Sequence, residues 1–274
     1  MEAKKSSLFL LSPWMEQHNE LDAGFSSRLG GVSEEQWQSL NLGLHVRDRD
    51  DSVITNRKRL TEALRWPFEA WTCAEQVHGS EVFQVTAAER GKGRSALVDG
   101  IAGCDALMTN VSGVLLTSLY ADCVPLYFYA PDVKAVALAH AGWRGTVGEI
   151  ADRTIAAMGE AYGAKPEVMQ AAIGPSIGPC CYEVDGAVIR EVERLLNELQ
   201  LPGDKQETCM KLEAGGKARL NLKEINRQIM IKAGILPIHI ELSKWCTGCR
   251  TDLFFSHRME AGLTGRMASW IGFS

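Results

Sequence analysis

The sequence predicts an α/β protein of mixed (α+β-like) character, on three observations. Apolar, β-branched and aromatic runs at Val114–Leu119, Val124–Tyr129 and Ala135–Ala139 are bounded by turn residues, as buried strands are. Amphipathic stretches of helical spacing lie around them, at Asp51–Trp66, Thr146–Tyr162 and Gly186–Leu199. The 274 residues are 46% hydrophobic and 23% charged, ordinary for a soluble chain with a sizeable core, and suit one large domain or two small ones.

Each element follows from its residues. Gly24–Gly31 reads as a short strand entering a Gly-Gly turn, with Arg28 just before the turn as a candidate anion-binding group. Asn41 opens the next turn, Asn41-Leu42-Gly43-Leu44-His45. The helix over Asp51–Trp66 carries Val53, Ile54, Leu60 and Leu64 on one stripe and stops before Pro67. Trp71–Val85 has strand text on both sides of a polar centre at His78-Gly79, and Gly91–Asp99 reads as a mobile surface loop. After the central strands, Gly142-Trp143-Arg144-Gly145 leads into a helix, a setting that favours anions, so Arg144 joins Arg28 as a phosphate candidate. Met169–Ile173 is a strand. Asn221 and Glu224 form a capping-box pattern ahead of Ile225 and Ile229. Pro237–Leu242 is a strand, and a Gly-rich tail with Arg266 closes the chain. There is no internal repeat or long linker.

Composition excludes several functions. A net charge of -5 and a pI near 5.8 argue against nucleic-acid binding by bulk electrostatics. No apolar run approaches the roughly 20 residues of a membrane span. The Leu8–Leu11 run behind Lys4 and Lys5 is too short for a signal-peptide core, so a cytoplasmic protein with its 8 cysteines reduced is expected.

The chemistry concentrates at Cys123, His140 and His78. If Pro131-Asp132 is a two-residue hairpin loop, Ala130 faces Val133 and, counting outward, Cys123 faces His140 on the same side of the sheet. One thiolate and two imidazoles make three ligands with one position open, the pattern of a catalytic zinc site. Zinc lowers the pKa of a bound water to about 7. Asp122 is the adjacent carboxylate, usable for proton transfer only if the strand bulges or ends there. A Cys–His nucleophile pair and plain core packing are the competing readings. Cys246-Thr247-Gly248-Cys249 is a single CxxC, whereas zinc ribbons need two, so ordinary buried thiols are expected; adjacent Cys180-Cys181 reads as packing or turn chemistry.

At these residues the chain resembles a known family. The texts FSSRLGGVS (Phe25–Ser33), NLGLHV (Asn41–Val46), EQVHGSEV (Glu75–Val82), DALMTN (Asp105–Asn110), TSLYADCVPL (Thr117–Leu126), AHAGWRGTV (Ala139–Val147), GPSIGPCCYEV (Gly174–Val184) and FFSHR (Phe254–Arg258) occur in order. Together they resemble the laccase-domain (polyphenol oxidase, YfiH/YlmD-type) family, with His257 standing where an aromatic is common. The resemblance implies a single domain over residues 1–274, matched from residue 25, with layered mixed β-sheets flanked by helices. It implies His78, Cys123 and His140 as metal ligands for Zn2+, with Cu2+ the alternative. It also implies cleavage of adenosine, inosine, guanosine and 5′-methylthioadenosine by phosphate, and deamination of adenosine.

The expected function is therefore a metal-dependent purine nucleoside phosphorylase with adenosine deaminase activity, binding purine nucleosides and phosphate, as a monomer or homodimer. Arg28, Asn41 and Arg144 are its candidate substrate or phosphate contacts. The alternatives are a copper polyphenol oxidase, a hydrolase with Cys123 as nucleophile, and a non-enzymatic binding role. The oxidase needs more imidazoles than 6 histidines furnish.

Overall fold

The computed structural model describes residues 8–274, so Lys4 and Lys5 of the N-terminal reading lie outside it. Its core is two mixed sheets packed face to face. A six-stranded sheet runs Ile240–Leu242, Gln170–Ile173, Val124–Ala130, Ala135–Ala141, Ala106–Thr109, Val82–Gln84 in spatial order. A five-stranded sheet runs Leu8–Leu10, Leu21–Ser26, Met267–Phe273, Leu115–Tyr120, Trp71–Cys73. A small third sheet joins Glu183–Val184, Lys217–Leu220 and Met210–Glu213. Among the described residues no helix is long and apolar enough to cross a membrane.

The unbroken apolar text of the central strands follows from this layering. Val124–Ala130 and Ala135–Ala141 are buried along their whole length because both faces are covered. Leu126, Phe128, Ala137 and Ala139 face the helices Ile150–Tyr162, Gly186–Glu198 and Leu222–Lys232. Tyr127, Tyr129, Val136 and Leu138 face the other sheet and meet Leu116 and Ile271. The alanines on the helix face let Ile150, Ile155 and Met158 approach closely.

Helices begin and end near their expected limits, with instructive exceptions. The first long helix is Asp50–Leu64, ending at Arg65 in the left-handed region (φ 61°), earlier than Pro67 alone requires. Its buried face includes Asn56 and Arg57, which an apolar stripe cannot reveal. The helix expected from Thr146 is two helices, Trp143–Val147 and Ile150–Tyr162, broken where Glu149 takes φ 55°. At Asn221 the cap is half a capping box: its side chain accepts from the Glu224 amide at 3.3 Å, while Glu224 turns to Arg227 and Gln228. Pro237–His239 is a 3-10 turn, and only Ile240–Leu242 is strand.

Two expectations about backbone are corrected. The hairpin between the central strands has a four-residue loop, Pro131 to Lys134, so Ala130 pairs with Ala135 and His140 with Pro125. Lys134 adopts φ 48° to close the wider turn. The two-residue displacement is even, so it keeps every side chain on its expected face. The Gly-rich tail is instead the strand Met267–Phe273, held between Leu21–Ser26 and Leu115–Tyr120. Its glycine is needed there, because a Cβ on Gly272 would collide with the Val114 carbonyl.

Candidate metal centre

His140 sits near the end of its strand on the face that looks toward the five-stranded sheet, where Tyr120 packs against its ring at 5.4 Å between centroids. Cys123 lies past the end of Leu115–Tyr120, in the three-residue break before Val124. Asp122 turns the chain there with φ 87°, and this turn delivers the thiol. His78 comes from the loop between Trp71–Cys73 and Val82–Gln84, also left-handed at φ 58°. The Cys123 sulfur and a ring nitrogen of each histidine lie within 4.8 Å of one another. The two imidazoles meet edge to face, 4.8 Å apart at 78°.

A buried carboxylate organises the trio. Asp105, 2% exposed, binds His140 Nδ1 through Oδ1 at 2.8 Å. It also accepts from the amides of Val77 (3.1 Å), His78 (3.0 Å) and Gly79 (2.6 Å). One side chain thus fixes the orientation of one imidazole and the loop carrying the other. With Nδ1 held as donor, His140 Nε2 is left to act as a ligand. Nothing in the sequence reading gave Asp105 a role; its signal was only a carboxylate at the head of a strand adjoining that of His140.

The electrostatics suit a thiolate. Burial alone would raise the Cys123 thiol, but the His140 charge and hydrogen bonds from His140 and His78 outweigh it and bring it down to about 6. Burial would lower His140, yet Cys123 and Asp105 prevail and lift it to about 9. Gly142 provides the space: a Cβ there would stand 3.1 Å from both Cys123 Sγ and His78 Cδ2. A sulfur and two imidazoles, one oriented by a carboxylate, fit a zinc- or copper-type ion with an open position.

The trio lines a cavity of about 500 Å³, within the usual range for small-molecule sites. Trp143, Arg144, Tyr182, Arg258 and Arg266 line it as well. The Arg144 guanidinium lies over Trp143 at 4.6 Å, and Arg258 over Tyr182 at 5.0 Å. His45 stands in the wall; desolvation, then Arg266 and Arg57, lower it to about 4. Its ring is neutral at pH 7 and able to accept a hydrogen bond.

Other sequence candidates are placed elsewhere. Arg28 does not line this cavity. It pairs with Glu260 at 2.9 Å, donates to the Thr251 and Gln38 carbonyls, and stacks on Phe255. Its charge is committed to holding loops together. Asn41, fully buried, bonds Asp48 and the amides of Gly43 and Arg266, and so acts as a loop tie. Asp122 does lie beside the cavity, as the end of the strand allowed. Its carboxylate is saturated by Thr247 Oγ1 (2.6 Å), Ser256 Oγ (2.8 Å) and the Arg258 amide (2.7 Å), which leaves it a structural anchor. The loop at Gly91 is pinned where Arg57 donates to the Gly93 and Arg94 carbonyls at 2.6 and 3.0 Å.

The two cysteine pairs read as unrelated in the sequence come together. The sulfurs of Cys180, Cys181, Cys246 and Cys249 lie within 4.8 Å of one another. Adjacent Cys180 and Cys181 share this cluster because the amides of Cys181 and Tyr182 both turn back onto the Gly178 carbonyl, at 3.0 Å each.

The fold and site define a layered α/β protein with a His–Cys–His centre of metal-ligand type at the end of its sheets. The chain belongs to the family described as multi-copper polyphenol oxidoreductase laccase, whose model matches residues 22–274. It is 45% identical over 251 residues to the purine nucleoside phosphorylase YlmD of Geobacillus stearothermophilus, covering 91% of this chain and 89% of the relative. To the Bacillus subtilis protein of the same name it is 38% identical over 269 residues, covering 97% and 94%. Among solved structures it is similar to hypothetical protein YfiH of Bacillus licheniformis, with TM-score 0.91, 39% identity, and 98% and 97% of the two chains covered.

Proposed function

We propose that the protein is a metal-dependent purine nucleoside phosphorylase with adenosine deaminase activity, and that His78, Cys123 and His140 hold its metal. The convergence of these three side chains in one cavity supports the reading, in a chain 45% identical to a relative named for that reaction. Zinc bound there would supply Lewis acidity toward water and substrate heteroatoms at neutral pH.

The chain's own residues divide the remaining work. Asp105 keeps His140 in its ligating tautomer. Trp143 and Tyr182 offer flat faces on which a purine can stack. Arg144, exposed at the rim, is the phosphate contact, with Arg258 beside it. Neutral His45 accepts a hydrogen bond from the substrate. The substrates are adenosine, inosine, guanosine and 5′-methylthioadenosine, taken by one domain in the cytoplasm.

The family's description raises copper oxidation. A multicopper oxidase needs a blue site and a trinuclear cluster besides. Among the described residues only His45, His78, His140 and His257 line this cavity, so the imidazoles fall short of that number.

Chromatography of adenosine incubated with the protein, with and without phosphate, tests the proposal. Adenine formed only with phosphate supports phosphorolysis, and inosine formed without phosphate supports deamination. Cys123→Ala should abolish both with the fold intact; neither product from the wild-type protein, or activity that survives in Cys123→Ala, overturns the proposal.

A further inference from the structure

The four-cysteine cluster lies apart from the His–Cys–His centre and has no part in the reaction proposed above. Its spacing is informative. Cys180 Sγ is 3.5 Å from Cys246 Sγ and 3.3 Å from Cys249 Sγ, and Cys249 Sγ is 3.4 Å from Cys181 Sγ. A disulfide brings two sulfurs to about 2.05 Å and pairs them exclusively. Here Cys180 is shared between two partners, and so is Cys249. Four thiolates around one zinc at about 2.3 Å would stand roughly 3.8 Å apart along the edges of a tetrahedron. The observed separations match that edge far better than they match a covalent bond.

Two contacts favour a thiolate at Cys246. The Gly178 amide donates to Cys246 Sγ at 3.1 Å. Lys223, 7% exposed, is held by the Ser243 and Trp245 carbonyls at 2.9 Å each, and its charge acts on Cys246 and Cys180. A buried ammonium offsets part of the negative charge that four thiolates leave on a divalent ion. Gly248 is needed for closure: a Cβ there would stand 2.8 Å from Cys181 Cβ and 3.1 Å from its sulfur.

We propose that Cys180, Cys181, Cys246 and Cys249 form a second, structural metal site that binds one Zn2+ through four thiolates. The ion ties the turn around Gly178 to the CxxC segment. Those two segments carry Ile177, Tyr182, His257 and Arg258 to the cavity wall. The cluster therefore braces one side of the cavity without touching its contents.

Zinc content by mass spectrometry, on protein purified without chelators, tests this. Wild-type protein should carry two zinc ions per chain when both sites are filled. Cys123→Ala should keep one, and X-ray absorption on that variant should show four sulfur neighbours at about 2.3 Å. Cys246→Ser/Cys249→Ser should lose the thiolate-bound ion and show a lower thermal midpoint. The Cys123→Ala measurement leaves all four cysteines in place, so it decides the matter even if the double variant fails to fold. It also separates this site from the catalytic proposal, because loss of activity in Cys123→Ala says nothing about the second ion. Cys123→Ala protein with no zinc, with iron in its place, or with a mass 4 Da low from two disulfides would overturn the assignment.

Discussion

Replacing Asp105 by Asn isolates the group that holds both histidines. Oδ1 accepts from His140 Nδ1 and the His78 amide, and Oδ2 from the Val77 and Gly79 amides. An amide side chain has one acceptor oxygen, so either orientation sets its NH2 against two donors. If the NH2 faces His140, the imidazole must accept at Nδ1 and carry its proton on Nε2, which removes it as a ligand. If the NH2 faces the loop, the Val77 and Gly79 amides lose their partner, and the turn carrying His78 loosens. Two part-buried donors left unpaired cost toward the lower end of about 1–3 kcal/mol each, so the variant should lose roughly 2–4 kcal/mol of stability. Metal affinity or turnover should fall about 10- to 100-fold, as for loss of a carboxylate behind a ligating histidine. Urea denaturation of metal-free protein measures the first effect, and competition with a chromophoric chelator measures the second. A stability change under about 0.5 kcal/mol together with unchanged metal affinity would refute the role given to Asp105.

Gly142→Ala should weaken metal binding about tenfold while moving the unfolding midpoint little, because its Cβ enters the space between Cys123 Sγ and His78 Cδ2; chelator competition showing wild-type affinity would count against the site. Arg28→Ala should lower stability by about 2–4 kcal/mol through loss of the Glu260 pair and two carbonyl contacts. The phosphate KM should stay unchanged, and a raised phosphate KM would restore Arg28 as an anion contact. His45 has a folded pKa of about 4 against 6.5 for the free group. Between those values the unfolded chain binds more protons, so stability falls as pH drops from about 6.5 to about 4. Thermal midpoints of His45→Gln should decline less steeply over that window, the difference being damped by solvent at the ring's open face; identical slopes would exclude the effect.

The sequence carried the trio and the central strands, but not the contacts that hold them. Pro131-Asp132 announced a turn, yet loop length depends on the conformation of Val133 and Lys134, which composition does not specify. The register was therefore displaced by two, which keeps His140 on its expected face, while Cys123 lies just before the ladder and reaches His140 from the turn at Asp122. Asp105 was illegible because its partners are three backbone amides and a histidine 35 residues away. Arg28 beside two glycines looked like an anion site, and only the folded chain brings Glu260 to it. The four cysteines were missed for the same reason: one CxxC is weak text until a distant turn adds two more sulfurs. Apolar periodicity located the helices well but failed where buried positions are polar, as at Asn56 and Arg57.

The placement of Met267–Phe273 has a consequence for how the protein is made. This last strand is interior to its sheet, with Leu21–Ser26 on one side and Leu115–Tyr120 on the other. Its Ala268 amide is bonded to Ser26, 242 residues earlier. On the ribosome, the early strand has no neighbour on that side until residues 267–273 have emerged. That edge must wait, exposed or shielded by chaperones, while the 242 residues separating Ser26 from Ala268 are made. Nascent chains halted shortly before Met267 should therefore be protease-sensitive across both flanking strands, however complete the helical layer has become.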